Sequence, residues 1–239
     1  MRNQQTDAFV LHRRPYRESS LLVEAYTRDL GRVAMIARGA RKSRKFPRSS
    51  VLQHYVPLRI GLAGRGELRT LAQVDALGPQ LLPAASRAAL VALYLNELLL
   101  KLTPREDPHP QLFDSYRQTL VRMSAQPLEP ALRCFELDLL EALGYGLELE
   151  FDTATGEAVD ASAIYRYELE SGPVAAAAGQ PGLVVSGQTL LGLAQREFSD
   201  TTIRSESRLL LRSVISHYLG GRPLKTRELL KGMPDLETK

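Results

Sequence analysis

The stretch Gly31–Ser50, GRVAMIARGARKSRKFPRSS, sets two unlike patterns end to end. Up to Arg38 it alternates Val33, Met35 and Ala37 with Arg32, Ala34 and Ile36, which predicts a strand buried largely on both faces. From Arg38 to Ser50 it carries six cations, Arg38, Arg41, Lys42, Arg44, Lys45 and Arg48, and no acid. A strand that runs into a segment too polar to bury puts that segment on the surface as a loop.

On either side of this stretch the chain keeps to short strands. DAFVLHRR (Asp7–Arg14) and LLVEAYT (Leu21–Thr27) precede it, joined by the turn RPYRESS. HYVPLRIGLA and GELRTLAQVDAL follow it, joined through GRG, a hairpin signal. The glycines of GLAGRGE resemble a phosphate cradle, but a cradle opens a helix, and ELRTLAQV reads as strand. Five evenly spaced strands within the first 80 residues predict a small barrel or sandwich. The oligonucleotide/oligosaccharide-binding (OB) barrel fits that count, with an SH3-like barrel as the alternative.

Pro79 and Pro83 mark a change of regime. AASRAALVALYLNELLLKL, PQLFDSYRQTLVRMS and EPALRCFELDLLEALGYG each repeat apolar residues at spacings of three and four, which predicts three helices. Pro130 suits a first helical turn, and Gly144 or Gly146 a stop. A polar, Gly- and Ala-rich passage from 148 to 187 shows no sustained period. SGQTLLGLAQREF and DTTIRSESRLLLRSVISHYLGG then predict two more helices, the last capped by Asp200 or Thr201. The fold class is α+β: an OB domain over residues 1–80, then a helical domain over 81–239 with an irregular insert at about 148–187.

The formal net charge of +4 conceals an asymmetry: residues 1–80 carry +9, residues 81–200 carry −9, and the remainder +4. A basic first third points to a polyanionic partner, and an acidic middle to a different task. No run reaches the ~18 apolar residues of a membrane helix, and MRNQQTDAF lacks a secretory apolar region. The single Cys134 excludes an intrachain disulfide and any zinc site built on several cysteines, so a cytoplasmic location is expected.

Six crowded cations repel one another, and a phosphate backbone reverses the sign by releasing condensed counterions. Phe46 adds a ring on which a base can stack. Arg13, Arg14, Arg17 and Arg32 lie elsewhere on the same domain, which favours nucleic-acid contact over a merely solvated loop. Tyr16, among three arginines, either stacks a base or packs over the barrel mouth. The four histidines are scattered, and Asp152, Glu157 and Asp160 do not match a calcium loop. Neither a catalytic triad nor clustered carboxylates are present in the pattern, so no enzyme is expected. In the last helix Arg204, Arg208 and Arg212 fall four apart beside Ile203, Leu210, Leu211, Val214 and Ile215. Such a stripe suits an acidic peptide with a terminal aromatic, or is an ordinary wet helix face.

Three separated segments, AFVLHRRPYRESSLLVEAYTRDLGRVAMIARGARKSR, EPALRCFELDLLEALGYG and YLGGRPLKTRELL, resemble the bacterial RecO family of recombination mediators. The resemblance implies an OB barrel followed by a helical domain. It implies binding to single- and double-stranded DNA, annealing of complementary strands, partnership with RecR, docking on the C-terminal tail of single-strand-binding protein, and help in loading recombinase. No nucleotide hydrolysis and no cofactor are implied. The basic loop becomes the connection between the third and fourth strands. Arg13, Arg14, Arg17, Arg38, Arg41, Lys42, Arg44, Lys45 and Arg48 become DNA-contact candidates. Arg133, Leu137, Arg204 and Arg208 become candidates for the partner's tail. Many family members hold a four-cysteine zinc module after the LGYG segment. Here LELEFDTATGEAVDAS stands in its place, so no zinc is expected and packing or hydrogen bonds must organise the region. An RNA- or ribosome-binding OB protein is the alternative reading.

Overall fold

A computed structural model describes residues 4–41, 48–64, 66–125, 127–176 and 181–227, with the side chains of Arg48 and Ser49 outside the description. The first compact unit covers Met1–Gln126 and Leu224–Pro234, the second Pro127–Pro223 and Asp235–Lys239. The sequence-based division at residue 80 coincides with the end of the barrel, whereas the first compact unit continues through two helices.

The barrel is built from β1 (Gln4–Tyr16), β2 (Ser20–Thr27), β3 (Gly31–Ala37), β4 (Leu58–Ala63) and β5 (Leu68–Ala76), with the four-residue helix α1 (Arg48–Val51) between β3 and β4. The strands close in the order β1-β2-β3-β5-β4; β3 and β5 run parallel and the other pairs antiparallel. This is the expected five-stranded OB architecture. Alternation explains its core: Val23, Ala25, Val33, Met35, Ile60 and Leu71 all point inward. The connection after β2 is tight because Gly31 has φ +65°, and a Cβ there would lie 2.2 Å from the Asp107 carbonyl oxygen.

Helices α2 (Arg87–Leu102) and α3 (Pro110–Ala125) belong with this barrel. Phe9 and Tyr26 point outward from β1 and β2 yet are fully buried, because the rings of Phe113 and Tyr116 from α3 pack on them at 5.3–6.4 Å between centroids. Polar bonds fix the packing. Tyr116 Oη donates to Asn96 Oδ1 at 2.5 Å, Asn96 Nδ2 to the Leu11 carbonyl at 3.3 Å, and Tyr55 Oη to the Ala89 carbonyl at 2.7 Å. Burial pushes the phenols of Tyr26, Tyr55 and Tyr116 far above their usual range, so all three remain donors.

The second unit holds α4 (Leu128–Ala142), β6 (Ile164–Glu168), β7 (Gly172–Ala175), β8 (Val184–Ser186), α5 (Gly187–Gln195) and α6 (Thr201–Tyr218). Asp200 caps α6 by accepting from the amides of Thr202 and Ile203 at 2.6 and 3.2 Å. The passage expected to be irregular contains a three-stranded sheet in the order β7-β6-β8. Two carboxylates organise the cysteine-free segment before it. Glu148 accepts from the amides of Leu149, Glu150 and Phe151. Asp152 accepts from Ala154 and Thr155 through one oxygen and from Ala175 on β7 through the other. The Ala175 bond, foremost, holds the Asp152 carboxyl below its usual range despite burial. Hydrogen bonds thus do here what the sequence required of them.

Candidate nucleic-acid interface

The ladder of β1 and β2 runs out through Pro15↔Leu21 and Tyr16↔Ser20, and that of β2 and β3 through Leu21↔Ala37. This brings Arg14 and Arg17 to the same end of the barrel as Arg38, which directly follows β3. Arg41 joins them because its amide donates to the Ser19 carbonyl in the β1–β2 turn at 3.0 Å. All four arginines are exposed. Arg17 takes up the turn with φ 52°, and its guanidinium stands 5.3 Å from the centre of the Tyr16 ring. Among the described residues no carboxylate pairs with any of the four. Lys42, Arg44 and Lys45 lie outside the described residues, as does the side chain of Arg48.

Beyond the basic loop the chain is fastened to β1. Arg13 Nη2 donates to Gln53 Oε1 at 2.6 Å, and His54 Nδ1 donates to the Val10 carbonyl at 3.1 Å. Burial, outweighing that bond, holds the His54 imidazole below the usual histidine range and keeps it neutral. Arg13 therefore differs from its neighbours. A bulge between Val10 and His12 shifts the alternation so that Arg13 faces Val23, a core residue, and is half-buried. Its bond to Gln53 anchors the return of the loop.

The other end of the barrel disposes of its cations differently. Arg32 and Arg105 share Glu24, Arg28 meets Asp114 at 3.0 Å, Arg59 meets Asp7 at 3.0 Å, and Arg69 meets Glu106 at 2.6 Å. Arg32, which by its charge alone argues for nucleic acid, is an internal partner here.

In the second unit the residues expected to hold an acidic tail do not share one role. Arg133 is only 5% exposed, and its guanidinium meets Glu136 at 2.6 Å one turn along α4. It is not presented to a ligand. Arg204 Nη1 donates to the carbonyls of Phe198 and Ser199, tying α6 to the turn before it. Arg208 is half-buried and Arg212 exposed on the same helix, with Leu209, 55% exposed, three residues before Arg212. Leu137 lines a hollow of about 300 Å³ with Leu147, Leu149, Leu193 and Arg196. Arg196 was not singled out from the sequence. It sits in the left-handed region at the end of α5, bonds Asp138 at 2.7 Å and donates to the Cys134 carbonyl. Its role follows from a chain reversal that no local pattern announces.

Among the described residues no group of three His, Cys, Asp or Glu side chains is placed to hold a metal ion. No helix among them is long and apolar enough to cross a membrane. What the barrel end offers is a set of fixed cations without internal carboxylate partners, able to neutralise a phosphate backbone and to read no sequence from it.

The comparisons with known proteins agree with this geometry. Residues 1–80 match the family model "Recombination protein O N terminal", and residues 85–228 match "Recombination protein O C terminal". The chain is 47% identical to DNA repair protein RecO of Azoarcus sp. (strain BH72), over 97% of both chains. It is 49% identical to DNA repair protein RecO of Alkalilimnicola ehrlichii, over 94% of this chain and 89% of that one. To DNA repair protein RecO of Methylococcus capsulatus it is 45% identical, over 94% and 91%.

Proposed function

The chain belongs to the RecO family of DNA repair proteins, and from that premise we propose that it is a non-enzymatic mediator of homologous recombination. It binds single- and double-stranded DNA, brings complementary strands together to anneal, and helps load recombinase onto strands coated by single-strand-binding protein. The observation that supports this best is the convergence of Arg14, Arg17, Arg38 and Arg41 at one barrel end, from which the rest of the basic loop departs.

The mechanism is electrostatic. Two strands approaching each other repel through their phosphates, and cations between them lower that repulsion and release counterions. Contacts of this kind are indifferent to sequence, as annealing of arbitrary complements requires. The second unit supplies a tether, which raises the local concentration of the mediator on coated strands. We assign the acidic tail of single-strand-binding protein to Arg208 and Arg212 with the exposed Leu209, and to Leu137. Arg204 holds the helix that carries the stripe, and Arg133 supports α4 from inside. RecR is proposed as a partner from the family alone.

The test is annealing of complementary strands, naked and coated, across a salt series. Acceleration of naked strands at low salt, fading as salt rises, is the expected result, with coated strands annealed as well. Failure to retain oligonucleotides at low ionic strength would overturn the reading. Magnesium-dependent strand cleavage would replace the mediator with a nuclease.

A further inference from the structure

The outer face of the barrel is divided. Toward the β2–β3 turn it is covered: Phe9 and Tyr26 lie under α3, and Ala34, also outward-facing, is 4% exposed. Toward the arginine end it is open. Register places Arg14 opposite Leu22, Leu22 opposite Ile36, and Ile36 opposite Thr70, so these residues form one row across four strands. Leu68, paired with Ala34, stands diagonally beside Ile36 on the same face. Their inward neighbours Val23, Met35 and Leu71 fill the core, which fixes the row as outward. Leu22 and Ile36 are half-buried and Leu68 is 45% exposed. An apolar strip thus lies open to solvent, edged by bare guanidinium groups.

We infer that Leu22, Ile36 and Leu68 form a base-receiving surface, so that unpaired strands gain an increment of binding that duplex does not. The inference rests on the reading of this end as a DNA interface and deepens it. Cations attract the phosphates of single strands and duplex alike. Apolar side chains discriminate, because unstacked bases have free faces to lay on them whereas duplex bases are stacked inside. The occupant is a single-stranded polyanion because the strip is bordered by Arg14, Arg17 and Arg38, none of which has a carboxylate partner among the described residues. The increment from bases is independent of counterion release, so it survives in salt where phosphate contact alone fades.

The experiment compares the full chain with Leu22→Ser and Ile36→Ser, and with Ile36→Phe as a variant that keeps an apolar surface. The probes are oligothymidylate, an abasic oligomer of equal length and charge, and a blunt duplex, each titrated across a salt series. The wild type should bind oligothymidylate five- to tenfold more tightly than the abasic strand, and each Ser variant should lose most of that ratio. The salt slope and duplex affinity should hold within twofold, and Ile36→Phe should retain the ratio. Equal wild-type affinity for thymidylate and abasic strands would overturn the inference, as would a parallel loss of single-strand and duplex binding in the variants. A change of sedimentation in the Ser variants would assign the strip to contact between copies of the chain and overturn it too. If the wild type bound none of the probes, the DNA reading itself would fall, a different result from all of these.

Discussion

The two ends of the barrel carry the same residue type in opposite states. Around the β2–β3 turn, Arg28, Arg32, Arg59 and Arg105 each meet a carboxylate from another part of the unit. At the β1–β2 turn, Arg14, Arg17, Arg38 and Arg41 are exposed and, among the described residues, meet none. Net charge does not distinguish the ends; pairing does. A guanidinium answered inside the protein is already neutralised and serves the fold, whereas an unanswered one adds to the field that an incoming polyanion experiences. In the second unit the buried Arg133, closed off by Glu136, stands in the same contrast to the exposed Arg212.

The largest effect expected from this contrast is on DNA affinity. Replacing Arg14, Arg38 and Arg41 together by Gln removes three of the bare charges and no internal pair. The slope of log affinity against log salt should fall in magnitude by roughly 3, about 0.9 for each phosphate left without its cation. At low salt that amounts to a loss of about 100-fold or more, with thermal stability unchanged within ~0.5 kcal/mol. A filter-binding or anisotropy titration at several salt concentrations reads both quantities. An unchanged slope would place the phosphates elsewhere and dissolve the distinction between the two ends.

A smaller effect is expected where charge is fully answered. Glu97 on α2 accepts from the amides of Lys225 and Thr226 and from the Thr226 hydroxyl, and meets Lys101 at 3.0 Å. Burial alone raises its pKa, but the bonds from Thr226, Lys225 and Lys101 prevail and hold it at about 2. A depressed carboxyl pKa contributes stability that is present above the unfolded value and is lost as pH falls through the folded one. The wild type should therefore lose stability between its ordinary carboxyl range and about pH 2. Glu97→Gln should flatten that loss and lower stability at neutral pH by about 1–3 kcal/mol, since an amide cannot accept every bond the carboxylate holds. Melting across a pH series measures it; the salt slope for DNA should not move.

Much of this arrangement is legible in the residues. Val33, Met35 and Ala37 alternate plainly, the apolar spacing of the helices is regular, and Asp200 stands where a cap belongs. The elements that local pattern does not announce depend on distant partners. β7 and β8 are four and three residues long, too short for a period, and Asp152 reaches Ala175 across 23 residues to hold β7. Arg13 reads as one of a row of surface cations until the bulge after Val10 turns it toward Gln53. Phe9 and Tyr26 look like strand residues of either face, and nothing local tells that α3 covers them. Which arginines are answered is partly readable: Glu136 stands three residues from Arg133, the spacing of neighbours on a helix. The pairing of Glu24 with Arg105 spans 81 residues and is not.

That last pair gives the smallest expected effect and the sharpest control. Arg105 is 40% exposed and shares Glu24 with Arg32. Removing it by Arg105→Gln leaves the carboxylate a second cation, so no charge is stranded. A partly exposed pair of this kind contributes ~0.2–1 kcal/mol, and the loss should fall in that range in a denaturant titration. The formal charge of the barrel unit drops by one, as it would for Arg14→Gln. If net charge drew DNA to this protein, the two variants would lose affinity alike. Because the carboxylate already answers Arg105, its replacement should leave affinity within about twofold and salt slope within about 0.3 of the wild type, whereas Arg14→Gln should reduce the slope by about 0.9. Equal losses in the two variants would mean that the overall field attracts the strand and that the bare end has no special standing.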